Sequence, residues 1–328
     1  MSTNGAQRPV PVAVLDDYQG LARELGPWSR LRDAVDLHVF TDHLDDEDAL
    51  AARLEPFAVI VAMRERTPFP GRLLARLPRL RLLVSTGMAN AAIDLAAARE
   101  HGVLVAGTES SSPATAELTW ALVLGVTRRL AQEDAAVRAG GWQHTIGPEL
   151  HGHTLGLVGL GRVGTRVAGY GLAFGMRVLA WSANLDAARA RGLGVEPVTS
   201  LDELLGRSDI VSLHTRLSER TRGLIGAREL ALLSPDAYLV NTSRGPIVDE
   251  RALLAALEAG AIAGAALDVF DREPLPPGHP LRSAPRTLLT PHLGYVALDG
   301  YRLWYVQIVE DIEAWLAGRP LRLLDEHG

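Results

Sequence analysis

The stretch Thr154-Leu155-Gly156-Leu157-Val158-Gly159-Leu160-Gly161-Arg162-Val163-Gly164 constrains the fold of this chain more than any other. An apolar, strand-like run feeds straight into G-x-G-x-x-G, and helix-like sequence follows over residues 166–174. A dinucleotide pyrophosphate needs this layout. Gly159 permits the tight turn, Gly161 lets the backbone approach the phosphates, and Gly164 lets helix and strand pack closely. The helix then offers its N–H groups and positive dipole end to the anion. A G-x-G-x-x-G alone carries little weight among 32 glycines. The strand before it and the helix after it give this one its meaning.

The chain has 328 residues, enough for two domains of ordinary size, and 47% of them are hydrophobic. No apolar run reaches the ~18 residues of a membrane span, so no membrane association is expected. Residues 1–9 lack the apolar core of a signal peptide. There is no cysteine, which removes disulfides, thiolate metal sites and thiol nucleophiles and makes the cytoplasm the expected compartment. Net charge is −6, and no Arg-rich cluster with interleaved aromatics occurs, which argues against nucleic acid as a partner. No lysine occurs either. Schiff-base chemistry and a lysine general base are therefore excluded, and any active-site cation must be Arg or protonated His.

Short apolar runs at 10–15, 37–40, 58–63, 80–85 and 103–106 alternate with amphipathic stretches near 21–25, 48–54, 71–77 and 94–100. This is the β-α-β rhythm of a parallel sheet. Ser112-Pro113 then reads as the N-cap and first position of one long helix, carried to about residue 139 by an apolar stripe from Ala116 to Val126. A second β-α-β series follows, with strands expected at 154–159, 177–181, 210–214, 238–242, 263–269 and 287–290. Ser200-Leu201-Asp202-Glu203 reads as a capping box. A last helix near 298–317 holds Tyr301, Trp304, Tyr305 and Trp315, read as core and interface. The expected architecture is α/β: two doubly wound parallel-sheet, Rossmann-like domains with a cleft between them. Residues 1–105 with 296–328 would form the substrate-binding domain, and 106–295 the dinucleotide-binding domain.

Three segments in the second series carry ionisable residues just beyond expected strands: Asn241 to Glu250, Ala265 to Pro276, and Leu289 to Gly294. In a doubly wound sheet the ligand crevice lies beyond the carboxyl ends of the strands. Hydride chemistry on a 2-oxo acid needs a cation for the carboxylate and carbonyl, which Arg supplies bidentately. It needs an acid near neutral pH, which suits His. It also needs a carboxylate to fix the His tautomer. Arg244, His292 and Glu273 supply that set. Taken singly, each reads more readily as a surface ion-pair, loop or solvated residue; their joint appearance beside the nucleotide motif reverses that reading.

These segments resemble the D-isomer-specific 2-hydroxyacid dehydrogenases, which include phosphoglycerate, glyoxylate/hydroxypyruvate and D-lactate dehydrogenases. The resemblance runs from Leu80–Asp94 through Ala114-Thr115-Ala116-Glu117, the glycine motif, Leu213-His214-Thr215 and the three segments above to Pro291-His292. It implies that Arg244 binds and polarises the substrate, that Glu273 pairs with His292, and that His292 is the acid/base. It implies that Asp268 contacts the nicotinamide carboxamide. Gly159, Gly161, Arg162, Val163 and Gly164 would hold the pyrophosphate. Thr115, Thr215, Thr242, Ser243 and Gly294 would line the cofactor. The loop from Thr86 to Asn90, with Gly87, Met88 and Ala89, would cradle the substrate carboxylate through backbone N–H groups. It implies a homodimer formed through the nucleotide domain.

Two departures matter. Ala89 stands where the family commonly has glycine, which leaves the 2-hydroxy acid unidentified. Arg64 and Arg66 could add a second acidic-group contact there, or be rim residues. Ser182 stands where NAD-specific members usually have Asp for the adenosine ribose. NAD is the expected cofactor, with NADP or dual use close behind. No metal is expected: His151-x-His153 has no further ligand nearby, and His214 reads as structural. The alternative to an enzyme is an NAD(H)-sensing co-regulator of the same fold without significant turnover.

Overall fold

The computed structural model describes residues 8–109 and 113–324. Ser112, expected to cap the helix after it, lies outside the described residues. The chain divides into two compact units, residues 1–112 with 298–328, and residues 113–297.

The first unit is built on a five-stranded sheet with strands β1 (Val10–Val14), β2 (Val35–Val39), β3 (Val59–Ala62), β4 (Leu82–Ser85) and β5 (Leu104–Gly107), in the order β2-β1-β3-β4-β5. All pairings are parallel. The sequence shows which strands are central. β3 and β4 are buried at every residue, so they read as unbroken apolar runs. β2, at an edge, alternates between half-buried and exposed positions. The Leu298–Leu316 helix belongs to this unit, with Tyr301, Trp304, Tyr305, Ile308 and Ile312 in its core. Trp304 Nε1 donates to Glu109 O at 3.0 Å and Gln307 Oε1 accepts from Glu109 N at 2.7 Å. After this helix the chain returns antiparallel along β5: Gly107 N donates to Arg322 O (2.9 Å), and Leu324 N donates to Val105 O (2.8 Å). That return covers a sheet edge that would otherwise be open to pairing.

The second unit holds a seven-stranded parallel sheet: β6 (Thr154–Val158), β7 (Arg177–Trp181), β8 (Glu196–Pro197), β9 (Ile210–Leu213), β10 (Tyr238–Asn241), β11 (Gly264–Leu267) and β12 (Thr287–Leu289). Their order is β12-β11-β10-β9-β6-β7-β8. The two-residue β8 is unforeseen, being too short to show any hydrophobic period. The long helix expected to reach residue 139 is two helices, Ala114–Thr127 and Leu130–Arg138. Thr127 Oγ1 turns back onto Val123 O at 2.8 Å, a bond that competes with continuation of the ladder, and Arg129 takes a left-handed backbone with φ 52°. Pro113 is the cap of the first helix, not its first position. Ser200 Oγ caps its helix by accepting from Glu203 N at 3.1 Å, but the Glu203 carboxylate reaches Thr199, so the reciprocal half of the box is shifted by one residue.

One buried ion pair sets a pH dependence. Asp311 is 1% exposed and pairs with Arg322 Nε at 2.9 Å. Burial pushes its carboxyl up to about 7, against the lowering effect of Arg322. An acid raised on folding binds more protons in the folded than in the unfolded chain between its ordinary range and about 7. Stability from this group therefore falls as pH rises through that window. Melting temperatures from about pH 5 to about pH 8 should fall more in the wild type than in Asp311→Asn. Parallel curves for the two proteins would contradict this.

Candidate active site

Strand order decides where ligand chemistry can gather. β6 lies between β7 on one side and β9 on the other, so the chain's direction of travel across the sheet reverses there. Such a switch point opens a crevice at the carboxyl ends of the strands. The glycine turn leaves β6 at that point. Gly159 has φ 102°, and a Cβ there would come within 2.7 Å of His214 O at the end of β9. A Cβ on Gly164 would fall 2.2 Å from Gly159 O. A Cβ on Gly161 would meet nothing within 4 Å. The turn is thus closed on its protein side and open on its outer side. Gly161 caps the Arg162–Ala173 helix, whose first amides lack intrahelical acceptors. This cradle fits a pyrophosphate.

β10, β11 and β12 are neighbours in register, and each delivers one candidate group from its carboxyl end. Arg244 follows β10. Asn241 Nδ2 donates to Arg244 O (3.0 Å), and Asn241 Oδ1 accepts from Ser243 N (3.0 Å), which ties the loop to its own strand. Ser243 Oγ donates to Thr215 O, so the loops after β9 and β10 are joined. Arg244 Nη1 donates to Ser243 O at 2.8 Å. Gly245 presses on the start of the next loop: a Cβ there would lie 2.0 Å from Phe270 C.

Glu273 follows β11 and His292 follows β12. Glu273 Oε1 accepts from Phe270 N at 2.9 Å, and Glu273 Oε2 lies 2.6 Å from His292 Nδ1. With the carboxylate as acceptor, His292 Nδ1 carries hydrogen and Nε2 is left for chemistry. His292 has φ 53°, a conformation that surrounding bonds must hold. Its ring meets Tyr295 edge-on at 5.1 Å. Its backbone N donates to Asp268 O at 2.8 Å.

Asp268 is fully buried. Its Oδ1 accepts from Thr290 Oγ1 (2.6 Å) and Leu293 N (2.7 Å), and its Oδ2 accepts from Gly294 N (2.8 Å). Burial pushes its carboxyl above the ordinary range, and these three donors oppose that shift. The family resemblance implies a contact from Asp268 to nicotinamide; in the structure its two oxygens accept from residues 290–294. Thr115 Oγ1 donates to Gly294 O at 2.8 Å, and Thr119 Oγ1 lies 2.7 Å from Thr242 Oγ1. Thr119, Thr290 and Tyr295 escape a sequence reading because a single hydroxyl on an apolar helix, or after a strand, carries no pattern.

Ser182 follows β7 and is half-buried. Arg189 reaches back from the next helix to Thr165 Oγ1 at 3.3 Å. His214 is half-buried, and burial pushes it down to about 4, so it is neutral; its Nε2 lies 2.9 Å from Ser212 Oγ. His151 packs beneath Gly175. Among the described residues no group of His, Asp and Glu is arranged to hold a metal ion.

The first unit carries the remaining candidates. Arg64 Nη1 donates to Thr86 O, and Thr86 Oγ1 accepts from Arg64 N, both at 2.8 Å. Gly87 has φ 120°, and a Cβ there would meet the Arg64 guanidinium at 2.2 Å. Asn90 Nδ2 donates to Arg64 O at 2.7 Å. Arg64 is therefore stitched to the 86–90 loop. One amide of that loop, Gly87 N, already donates to Thr108 Oγ1 at 3.0 Å. Met88 stands exposed at the loop tip. Arg66 instead lies over the Tyr18 ring at 4.3 Å and donates to Asp16 O at 2.6 Å.

Residues 120–294 match the family profile of the D-isomer specific 2-hydroxyacid dehydrogenase, NAD binding domain. A glyoxylate reductase of Aeropyrum pernix is 41% identical over 257 residues, covering 75% of this chain and 76% of that protein. A D-3-phosphoglycerate dehydrogenase of Methanocaldococcus jannaschii is 35% identical over 264 residues, 80% of this chain but only 50% of that longer protein. The chain therefore spans about half the length of this dehydrogenase. The crystal structure of a putative D-3-phosphoglycerate dehydrogenase oxidoreductase from Ralstonia solanacearum superposes with a TM-score of 0.91 at 37% identity, over 97% of each chain. With its glycine cradle at the switch point and its Glu–His pair after β11 and β12, the chain belongs to the D-isomer specific 2-hydroxyacid dehydrogenase family and is an NAD-dependent oxidoreductase.

Proposed function

We propose that this protein reduces a small 2-oxo acid, glyoxylate first among them, to the D-2-hydroxy acid, with His292 as acid, Glu273 as its partner and Arg244 as substrate ligand. The observation that carries this reading is the 2.6 Å contact between Glu273 Oε2 and His292 Nδ1. It fixes the tautomer and leaves Nε2 to hand a proton to the substrate oxygen. NADH, when bound, would supply the hydride; Gly161, Arg162, Val163 and Gly164 would hold its pyrophosphate, and Thr215, Thr242 and Ser243 would line the cofactor. Arg244 neutralises the substrate carboxylate and draws charge onto the carbonyl oxygen. Arg64, sealed against Gly87, gives the Thr86-to-Asn90 loop a fixed positive charge for the acid substrate.

Ser182 and Arg189 favour a second cofactor reading. A serine does not repel a 2′-phosphate, and Arg189 already leans over the helix that starts at the glycine turn. NADPH would then be accepted alongside NADH.

A second copy of the chain is the proposed partner. The Leu130–Arg138 helix buries none of its residues. Leu130, Val137, Trp142 and Ile146 stand exposed, Ile146 at 96%. Exposed large apolar side chains gathered within one short stretch of chain are what an association surface would use. The absence of cysteine fits a reducing compartment, and we place the enzyme in the cytoplasm; among the described residues no helix is long and apolar enough to cross a membrane.

Three outcomes follow. Oxidation of NADH, and separately NADPH, should be measurable with glyoxylate, hydroxypyruvate, pyruvate, phenylpyruvate or branched 2-oxo acids, and His292→Ala should lower turnover by about 10²- to 10⁴-fold. Unchanged turnover in that variant would sink the assignment. Gly245→Ala must push Phe270 away and so separate the Arg244 and Glu273 loops. We expect kcat/KM to fall about 10²-fold with the fold intact by circular dichroism. A wild-type rate would show that the two loops need not touch. Light scattering should give twice the chain mass for the wild type and the chain mass for a Trp142→Asp/Ile146→Asp variant. A monomeric wild type would remove the dimer.

A further inference from the structure

Nothing above gives a task to Thr119, a fully buried hydroxyl in the second turn of the Ala114–Thr127 helix. Its surroundings give it one. Thr119 Oγ1 lies 2.7 Å from Thr115 O, where only the hydroxyl can donate. A hydroxyl has one hydrogen. The 2.7 Å bond between Thr119 Oγ1 and Thr242 Oγ1 must therefore run the other way, with Thr242 donating and Thr119 accepting. Four residues earlier on the same helix face, Thr115 Oγ1 donates to Gly294 O at 2.8 Å.

The two threonines thus reach two different loops. Thr242 stands two residues before Arg244, in the loop after β10. Gly294 stands two residues after His292, in the loop after β12. Those strands are not neighbours, since β11 separates them. The helix face is a common reference for both. We propose that Thr119 is a positioning residue: as acceptor for the Thr242 hydroxyl it fixes the Arg244 loop to the helix that also holds the His292 loop, and so sets the spacing between substrate cation and acid.

This rests on the roles given above to Arg244 and His292. The bond is buried on both sides, Thr242 being 7% exposed. Losing the acceptor leaves a buried donor unsatisfied, a costlier change than removing both partners. That asymmetry makes the test specific. Thr119→Val keeps shape and removes the acceptor; Thr119→Ser keeps the acceptor and removes a methyl group. Thr242→Val removes the donor.

The experiment is steady-state kinetics with NADH and glyoxylate, or with whichever panel acid turns over, on these three variants and on Thr119→Val/Thr242→Val, with melting temperatures alongside. We expect Thr119→Val to lose about tenfold in kcat/KM, with KM for the 2-oxo acid raised and kcat lowered, the pattern expected when binding and polarisation are both disturbed. Thr119→Ser should return to within about twofold of wild type, and the double variant should lose less than the two single losses combined, because both changes cut one shared bond. Equal loss in the Val and Ser variants would overturn the proposal in favour of packing. So would additive losses in the double variant, or a wild-type rate in a folded Thr119→Val. His292→Ala run in parallel separates the two levels. If it is active, the site reading itself has failed; if it is inactive while Thr119→Val matches wild type, only the role of Thr119 falls.

Discussion

Asp268 is the constraint on which the candidate site depends. A carboxylate with no exposure is costly to bury, because it gives up water that stabilises its charge. Three donors compensate, and all three come from residues 290–294. The His292 loop is therefore not simply near Asp268; its conformation is the condition under which Asp268 can be buried at all. The left-handed φ of His292 follows from this, since its own N–H also points to Asp268 O. Stability of the sheet's end and placement of His292 are one problem with one solution.

A parallel sheet supplies the rest. Strands that run in the same direction release their loops at the same edge. Groups more than 40 residues apart in sequence can then act together without any long connection being bent to bring them there. The cost is that each loop is held only by what it meets on leaving its strand. In this protein the restraints are short and mostly backbone-directed: Asn241 to Arg244 O, Ser243 to Thr215 O, Phe270 N to Glu273. The pairing of Glu273 with His292 is the one restraint among these that joins two ionisable side chains.

Central strands and the glycine turn were legible because their physics is local. An unbroken apolar run is what a strand covered on both faces requires, and a strand–glycine–helix junction is what a phosphate requires. That Arg244, Glu273 and His292 stand just after strands was legible from the apolar runs before them, while the roles proposed for them rest on the family resemblance. The break at Thr127 to Arg129 was not, because helix propensity does not reveal a hydroxyl bonding back into its own turn. Nor was β8, whose two residues are strand only because β7 lies alongside. The bonds from Asp268 to Thr290, Leu293 and Gly294 were not legible, since the sequence cannot say which way a buried carboxylate faces. Thr119 left no trace in composition or spacing; its meaning comes wholly from Thr242, which is 123 residues away.

The return of residues 322–324 along β5 orders events during synthesis. The first unit's sheet is finished early in the chain, yet its core waits for Trp304 and Tyr305, and its edge waits for residues 322–324, all made after the second unit. The second unit is one continuous stretch and has all its strands in hand before then. On the ribosome, the nucleotide-binding unit can close its core while its companion still exposes β4 and β5. A nascent chain stalled before Leu298 would therefore carry a second unit with all its strands and a first unit still without its last helix.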